Sequence, residues 1–77
     1  MLEAALEHLV RGIVDHPDDV RVDLLSNRRG RTLEVRVNPE DLGKVIGRRG
    51  RTARALRTVM AGVGGRGLRV DVVDVDR

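Results

Sequence analysis

Four residues, Gly47-Arg48-Arg49-Gly50, combine the properties that a phosphate clamp needs. Glycine at both ends of a four-residue turn lets the chain reverse sharply, and lets a sugar-phosphate backbone approach without meeting a Cβ. The arginines between them present planar guanidinium forks that grip phosphate oxygens through paired hydrogen bonds. A helix starting just after Gly50 adds unpaired N–H groups and the positive end of its dipole. Lys44, Arg51 and Arg54 flank the turn and extend the positive track. Each of these three, taken alone, fits a solvated helix surface equally well.

The charge distribution points the same way. The net charge of the 77 residues is only +3. Residues 1–27 carry two Arg against six acids, a balance of −4, and residues 58–77 are neutral. Residues 28–57 carry nine Arg and one Lys against three acids, a balance of +7. A basic middle third suits a polyanion, because bound cations displace the counterions condensed on its phosphates.

Composition excludes several alternatives. There is no cysteine, so neither a disulfide nor a thiolate zinc site staples the fold. No Phe, Tyr or Trp is present, so the core is aliphatic. No apolar run approaches the roughly 18 residues of a membrane span, and Met1-Leu2-Glu3 lacks a signal-peptide charge pattern. The expectation is a soluble cytoplasmic protein of one small domain over residues 1–77, with no membrane association.

The elements that must hold the clamp follow from periodicity. Leu2, Ala5, Leu6, Leu9, Val10, Ile13 and Val14 recur at helical spacing, and Asp15-His16-Pro17 ends that helix. Val20, Val22 and Leu24 alternate as a half-buried strand, and so do Leu33, Val35 and Val37. Ser26-Asn27-Arg28-Arg29-Gly30 reads as the hairpin turn between them; contact of Arg28, Arg29 and Arg31 with nucleic acid or a partner stays open, with a solvated turn the favoured reading. Asn38-Pro39-Glu40-Asp41 starts a short second helix: Asn38 caps, Pro39 fits the first position, and two carboxylates meet the positive dipole end. That helix faces Leu42, Val45 and Ile46 inward and stops at Gly47. A third helix runs from about Arg51 to Ala61 with a stripe of Ala53, Leu56, Val59, Met60 and Val63, and Gly62 to Gly67 breaks it. Leu68, Val70 and Val72 form the last strand, while Val73 and Val75 fall in the opposite phase and predict a bulge or a two-sided end. The order α-β-β-α-α-β predicts an α+β fold, a three-stranded mixed sheet with three helices on one face.

Val45-Ile46-Gly47-Arg48-Arg49-Gly50-Arg51-Thr52, joining two helices, resembles the signature of KH domains, and the element order resembles the bacterial type II arrangement over the whole chain. Size and order are similar to the KhpA family of stand-alone bacterial KH proteins. The resemblance implies a non-enzymatic protein that clamps single-stranded RNA backbone, about four nucleotides in KH domains. It further implies an RNA chaperone or post-transcriptional regulator acting with a KhpB-like RNA-binding partner, with effects on cell shape and cell-wall homeostasis. By the family pattern the bases lie over an apolar groove of Leu42, Val45 and Ile46, with Val35 or Val37 behind. The RNA-binding set is then Lys44, Val45, Ile46, Gly47, Arg48, Arg49, Gly50, Arg51 and Arg54, with no cofactor, metal or small-molecule substrate. Aromatic platforms add about 1–3 kcal/mol per stacked base in many single-strand binders. Their absence predicts weak, salt-sensitive and poorly selective binding by one copy, raised by a second copy or partner.

Other motifs fail on context. Gly62, Gly64 and Gly67 have dinucleotide-loop spacing but follow a helix and precede a strand. Gly43-Lys44 lacks the rest of a P-loop. His8, Asp15 and His16 lack metal-ligand spacing. Ser26 has no evident base, and Asp71, Asp74 and Asp76 read as a solvated edge. A protein-interaction module remains as the alternative function, with a homodimer formed through the third helix around Val59, Met60 and Val63.

Overall fold

A computed structural model describes residues 1–65 and 67–74. The first helix, α1 (Leu2–Arg11), is shorter than its periodicity suggests. Gly12 weakens the helix and the chain turns over, with the Ile13 and Val14 N–H groups both donating to the Val10 carbonyl, at 2.9 and 3.2 Å. This folds Ile13 and Val14 against the core instead of extending the helix. Leu6 and Val10 are the fully buried positions of α1, four residues apart on one face.

Strands β1 (Arg21–Asn27) and β2 (Gly30–Val37) pair antiparallel, from Arg21 with Arg36 to Asn27 with Gly30. The strand continues through Ser26 and Asn27, so the turn is Arg28-Arg29 alone. Asn27 Oδ1 accepts the Arg29 N–H at 2.8 Å, and Gly30 takes the positive φ of +130° that closes the hairpin. After β2 comes a 3-10 turn over Pro39–Asp41, where Asn38 caps as expected by accepting the Glu40 N–H at 2.9 Å. Then follow α2 (Leu42–Ile46), α3 (Arg51–Gly64) and β3 (Leu68–Asp74). Helix α3 runs three residues past its expected end. Glycines 62 and 64 are tolerated in its last turn, and Gly65, at φ +80°, terminates it with its N–H on the Ala61 carbonyl. A Cβ at Gly64 would meet the end of the Leu68 side chain, which would have to shift.

The sheet order is β1-β2-β3, with β2 and β3 parallel, as the two-helix crossover predicts. The register from Arg31 with Leu68 to Val37 with Asp74 is unbroken, so no bulge occurs over it. Val73 is half-buried on the opposite face from Val72. Val75 and Asp76, which enter that expectation and the reading of a solvated acidic edge, lie outside the described residues, as does Arg66 in the glycine-rich connector.

Central strand β2 supplies Leu33, Val35 and Val37, all fully buried under Leu6, Val10, Val45, Leu56, Met60 and Val70. Each such side chain contributes about 1.5–3 kcal/mol by leaving water. The opposite sheet face is open and charged, with Asp23, Glu34 and Asp71 in one row across the three strands and Arg36 paired to Glu34.

Candidate nucleic-acid interface

The loop after α2 has a backbone that few residue types can adopt. Gly47 sits at φ +77°, and a Cβ there would lie 2.8 Å from the Thr52 backbone N and 2.7 Å from its Cβ. Both the angle and the close approach demand glycine. Arg49 takes a left-handed conformation (φ 55°, ψ 27°), among the described residues the one non-glycine at positive φ. Such a residue costs about 1–2 kcal/mol, and backbone strain of this kind clusters at functional sites. Gly50 is left-handed too (φ 73°, ψ 16°), with open space around it, and its N–H donates to the Gly47 carbonyl at 3.1 Å. No side chain caps α3 at Gly50; the Arg51 N–H donates to the Arg48 carbonyl, and the positive end of this 14-residue helix lies beneath the loop. Arg48, Arg49 and Arg51 are clustered around that helix end, and all three are exposed. Fixed glycine turns, a helix dipole end without a side-chain cap and three guanidinium groups converge on one place.

Helix α2, which leads into the loop, is held from behind. Asp41, 1% exposed, accepts the backbone N–H groups of Asp15 at 3.1 Å and His16 at 2.9 Å. Asn38 Nδ2 donates to Asp19 at 2.9 Å, and the His16 ring stands 3.7 Å from the Glu40 carboxylate. The connector between α1 and β1 thus straps the start of α2. Lys44 is exposed but paired with Asp15. The hydrogen bond between them, then their opposite charges, lowers the Asp15 carboxyl below its ordinary pKa, and the same hydrogen bond raises the Lys44 ammonium. Lys44 can join a phosphate track only by exchanging this partner.

The apolar groove assigned from family pattern is largely closed. Val45, Val35 and Val37 are 0% exposed, and Leu42 is half-buried against the core. Ile46, 38% exposed, is the one of the five that presents an apolar surface beside the loop. An open cleft of about 410 Å³ lies instead between α3 and the edge strand β3. Arg54 marks its loop end, one turn into α3, and Leu68 to Asp71 form its far wall. Arg57, to which the sequence gives no prominence, spans the cleft, its Nε donating to the Val70 carbonyl at 3.1 Å. Arg69 is equally inconspicuous, because strand alternation shows only that it points away from Val70. Its place beside Thr32 depends on the parallel register. Asp41 reads in the sequence as a helix-start carboxylate and Thr52 as the end of the loop signature; neither reading gives the bonds of Asp41 to Asp15 and His16 or the close approach of Thr52 to Gly47.

A family model described as "KhpA/KhpB, KH domain" matches residues 3–75. The chain belongs to this KH-domain family. It is 77% identical over 73 residues to the RNA-binding protein KhpA of Mycobacterium tuberculosis, covering 95% of this chain and 91% of that one. The match to RNA-binding protein KhpA of Streptomyces coelicolor is 75% over 76 residues, covering 99% and 96% of the two chains. RNA-binding protein KhpA of Halalkalibacterium halodurans is 42% identical over 76 residues, covering 95% and 100%. The KH fold therefore spans nearly the whole of this chain and of its relatives. Among the described residues no helix is long and apolar enough to cross a membrane.

Proposed function

We propose that this KH domain is an RNA-binding protein that holds the backbone of single-stranded RNA at Gly47–Gly50. The observation that carries this is the uncapped start of α3 beneath two left-handed loop residues, ringed by Arg48, Arg49 and Arg51. Phosphates sit on the helix N–H groups, and the guanidinium groups close over them. Gly47, Gly50 and Arg49 set the path, while Ile46 offers an apolar contact to the first base. Arg54 continues the track, Lys44 joins by leaving Asp15, and Val45 acts as core beneath. Bases then pass the α3–β3 cleft, where strand β3 offers an open edge. With no aromatic side chain the domain grips phosphate more than it reads sequence. The relatives' name supports the RNA assignment. A non-catalytic role as chaperone or post-transcriptional regulator in the cytoplasm, with a KhpB-like partner and effects on cell shape, fits such a clamp.

The test is a titration of mixed-sequence single-stranded RNA into wild type and a folded Arg48→Asp/Arg49→Asp variant. At least a tenfold weaker affinity is expected for the variant, corresponding to about 1.4 kcal/mol. Equal affinities would sink the loop assignment.

A second reading concerns association. Val59 and Val63 are 50% and 62% exposed, four residues apart on the outer face of α3. Val59 joins Ala55 and Thr58 in an apolar strip beside Arg51 and Arg54. Met60, by contrast, is fully buried and belongs to the core. Two copies joined along this strip bring two loops to one RNA and raise its effective affinity.

A further inference from the structure

Arg29, Arg31 and Arg69 converge at the end of the domain remote from the loop, around a recess of about 130 Å³. A water molecule claims roughly 30 Å³ of liquid, so the recess takes a group of several heavy atoms. Its floor is the contact between the hairpin turn and the start of β3. The Arg31 N–H donates to the Gly67 carbonyl at 2.9 Å, and a Cβ at Gly30 would strike that carbonyl. The Arg31 guanidinium is half-buried and donates to the Gly64 carbonyl, which neutralises the negative end of α3 at this spot. Arg29 and Arg69 line the recess, and neither meets a carboxylate among the described residues. The acids next along the same sheet face, Glu34 and Asp71, stand two residues farther from the hairpin, and Glu34 is paired with Arg36. Thr32, beside Arg69 in the register, adds a hydroxyl.

This recess adjoins the α3–β3 cleft. Arg54 stands at the loop end of the α3–β3 cleft, and Arg69 lines both that cleft and the recess. The two ends are separated by the length of α3, about 20 Å for 14 residues. We propose that the recess is a second backbone-phosphate site, engaged by the same single-stranded RNA after it has passed the cleft. The proposal rests on the RNA reading above and extends it: the domain measures strand length, because a strand shorter than the four or so nucleotides that a KH loop clamps cannot also span about 20 Å to the recess. The turn arginines are then part of the nucleic-acid surface, and the hairpin is more than a solvated connector.

The test compares single-stranded RNA of about three and about fifteen nucleotides, one too short to span from the loop to the recess and one long enough for both. Both are titrated into wild type, Arg29→Ala/Arg69→Ala and Arg48→Asp/Arg49→Asp, each shown to melt cooperatively. The recess variant is expected to bind the longer strand roughly five- to tenfold more weakly and the shorter one unchanged. Amide signals of Gly30, Thr32 and Arg69 are expected to shift with the longer strand only. If the recess variant matches wild type on both strands while the loop variant fails on both, the recess is overturned and the loop stands. An equal loss on both strands also overturns it, since the arginines then act as diffuse charge. If wild type binds neither strand, the loop and the recess fall together.

Discussion

Asp41 accepts the backbone N–H of His16 at 2.9 Å from a position that is 1% exposed. The companion bond from Asp15, at 3.1 Å, makes this carboxylate the fastener between the α1–β1 connector and the helix that leads into the loop. An N–H group left without its acceptor in such a place costs about 1–3 kcal/mol. Asp41→Ala is therefore expected to lower unfolding free energy in urea by about 2–3 kcal/mol with the m-value unchanged. A midpoint equal to wild type would mean that water replaces the carboxylate without loss.

The ion pair between Asp15 and Lys44 gives a pH dependence of definite sign. Its carboxyl partner is held below the ordinary value, so its contribution is complete above the pKa of an unfolded-chain aspartate, and is lost as pH falls through the lowered value. The ammonium is raised, so the same pair is complete below the unfolded lysine pKa, and is lost as pH rises through the raised value. Both describe one exposed interaction, and its effect on stability is small. A carbon-detected NMR titration is expected to show Asp15 ionising below the ordinary aspartate value, and returning towards it in Lys44→Met. Asp15→Asn frees Lys44 and is expected to tighten RNA binding, and unaltered affinity would place Lys44 off the track.

Gly43 lies within α2 facing open space, and a Cβ added to it would meet no atom within 4 Å. Nothing in the free protein asks for glycine there, and alanine stabilises a helix interior by about 0.5–1 kcal/mol. Gly43→Ala is expected to raise the melting temperature, and, on the proposed track past Lys44, to weaken RNA binding because the added methyl would meet the strand. A variant that gains stability and keeps full affinity would show that RNA does not pass over α2.

The fold is readable in the sequence because its apolar residues keep strict periods: Leu33, Val35 and Val37 for the central strand, and Leu6 and Val10 for the first helix. The loop is readable because glycine at 47 and 50 is a local backbone requirement. Helix ends are less so. Ile13 and Val14 keep helical spacing but pack after a reversal, and Gly62 with Gly64 stay helical although glycine usually stops a helix. The mixed sheet is legible from the element order, but the long-range side-chain contacts are not. The neighbours of Arg69, the bond of Arg57 to Val70, and the burial of Val45 in place of a base-facing groove depend on how helices settle on the sheet.

Association through α3 has its own test. Sedimentation at micromolar concentration is expected to show a dimer for wild type and a monomer for Val59→Asp/Val63→Asp. These side chains are exposed, so the charged variant keeps the melting temperature of the wild type within a few degrees. A wild type that stays monomeric while binding RNA well would leave one loop acting alone.

The central claim is that the Gly47–Gly50 loop grips phosphate rather than base, and the salt dependence of RNA affinity tests it most directly. Each phosphate neutralised on a single strand adds about 0.7 to the slope of log affinity against log salt. For uridine, adenosine and cytidine homopolymers, wild type is expected to show similar affinities, and a slope steeper by roughly 1.4 than that of Arg48→Asp/Arg49→Asp. Equal slopes for the two proteins, with strong preference for one homopolymer, would contradict it.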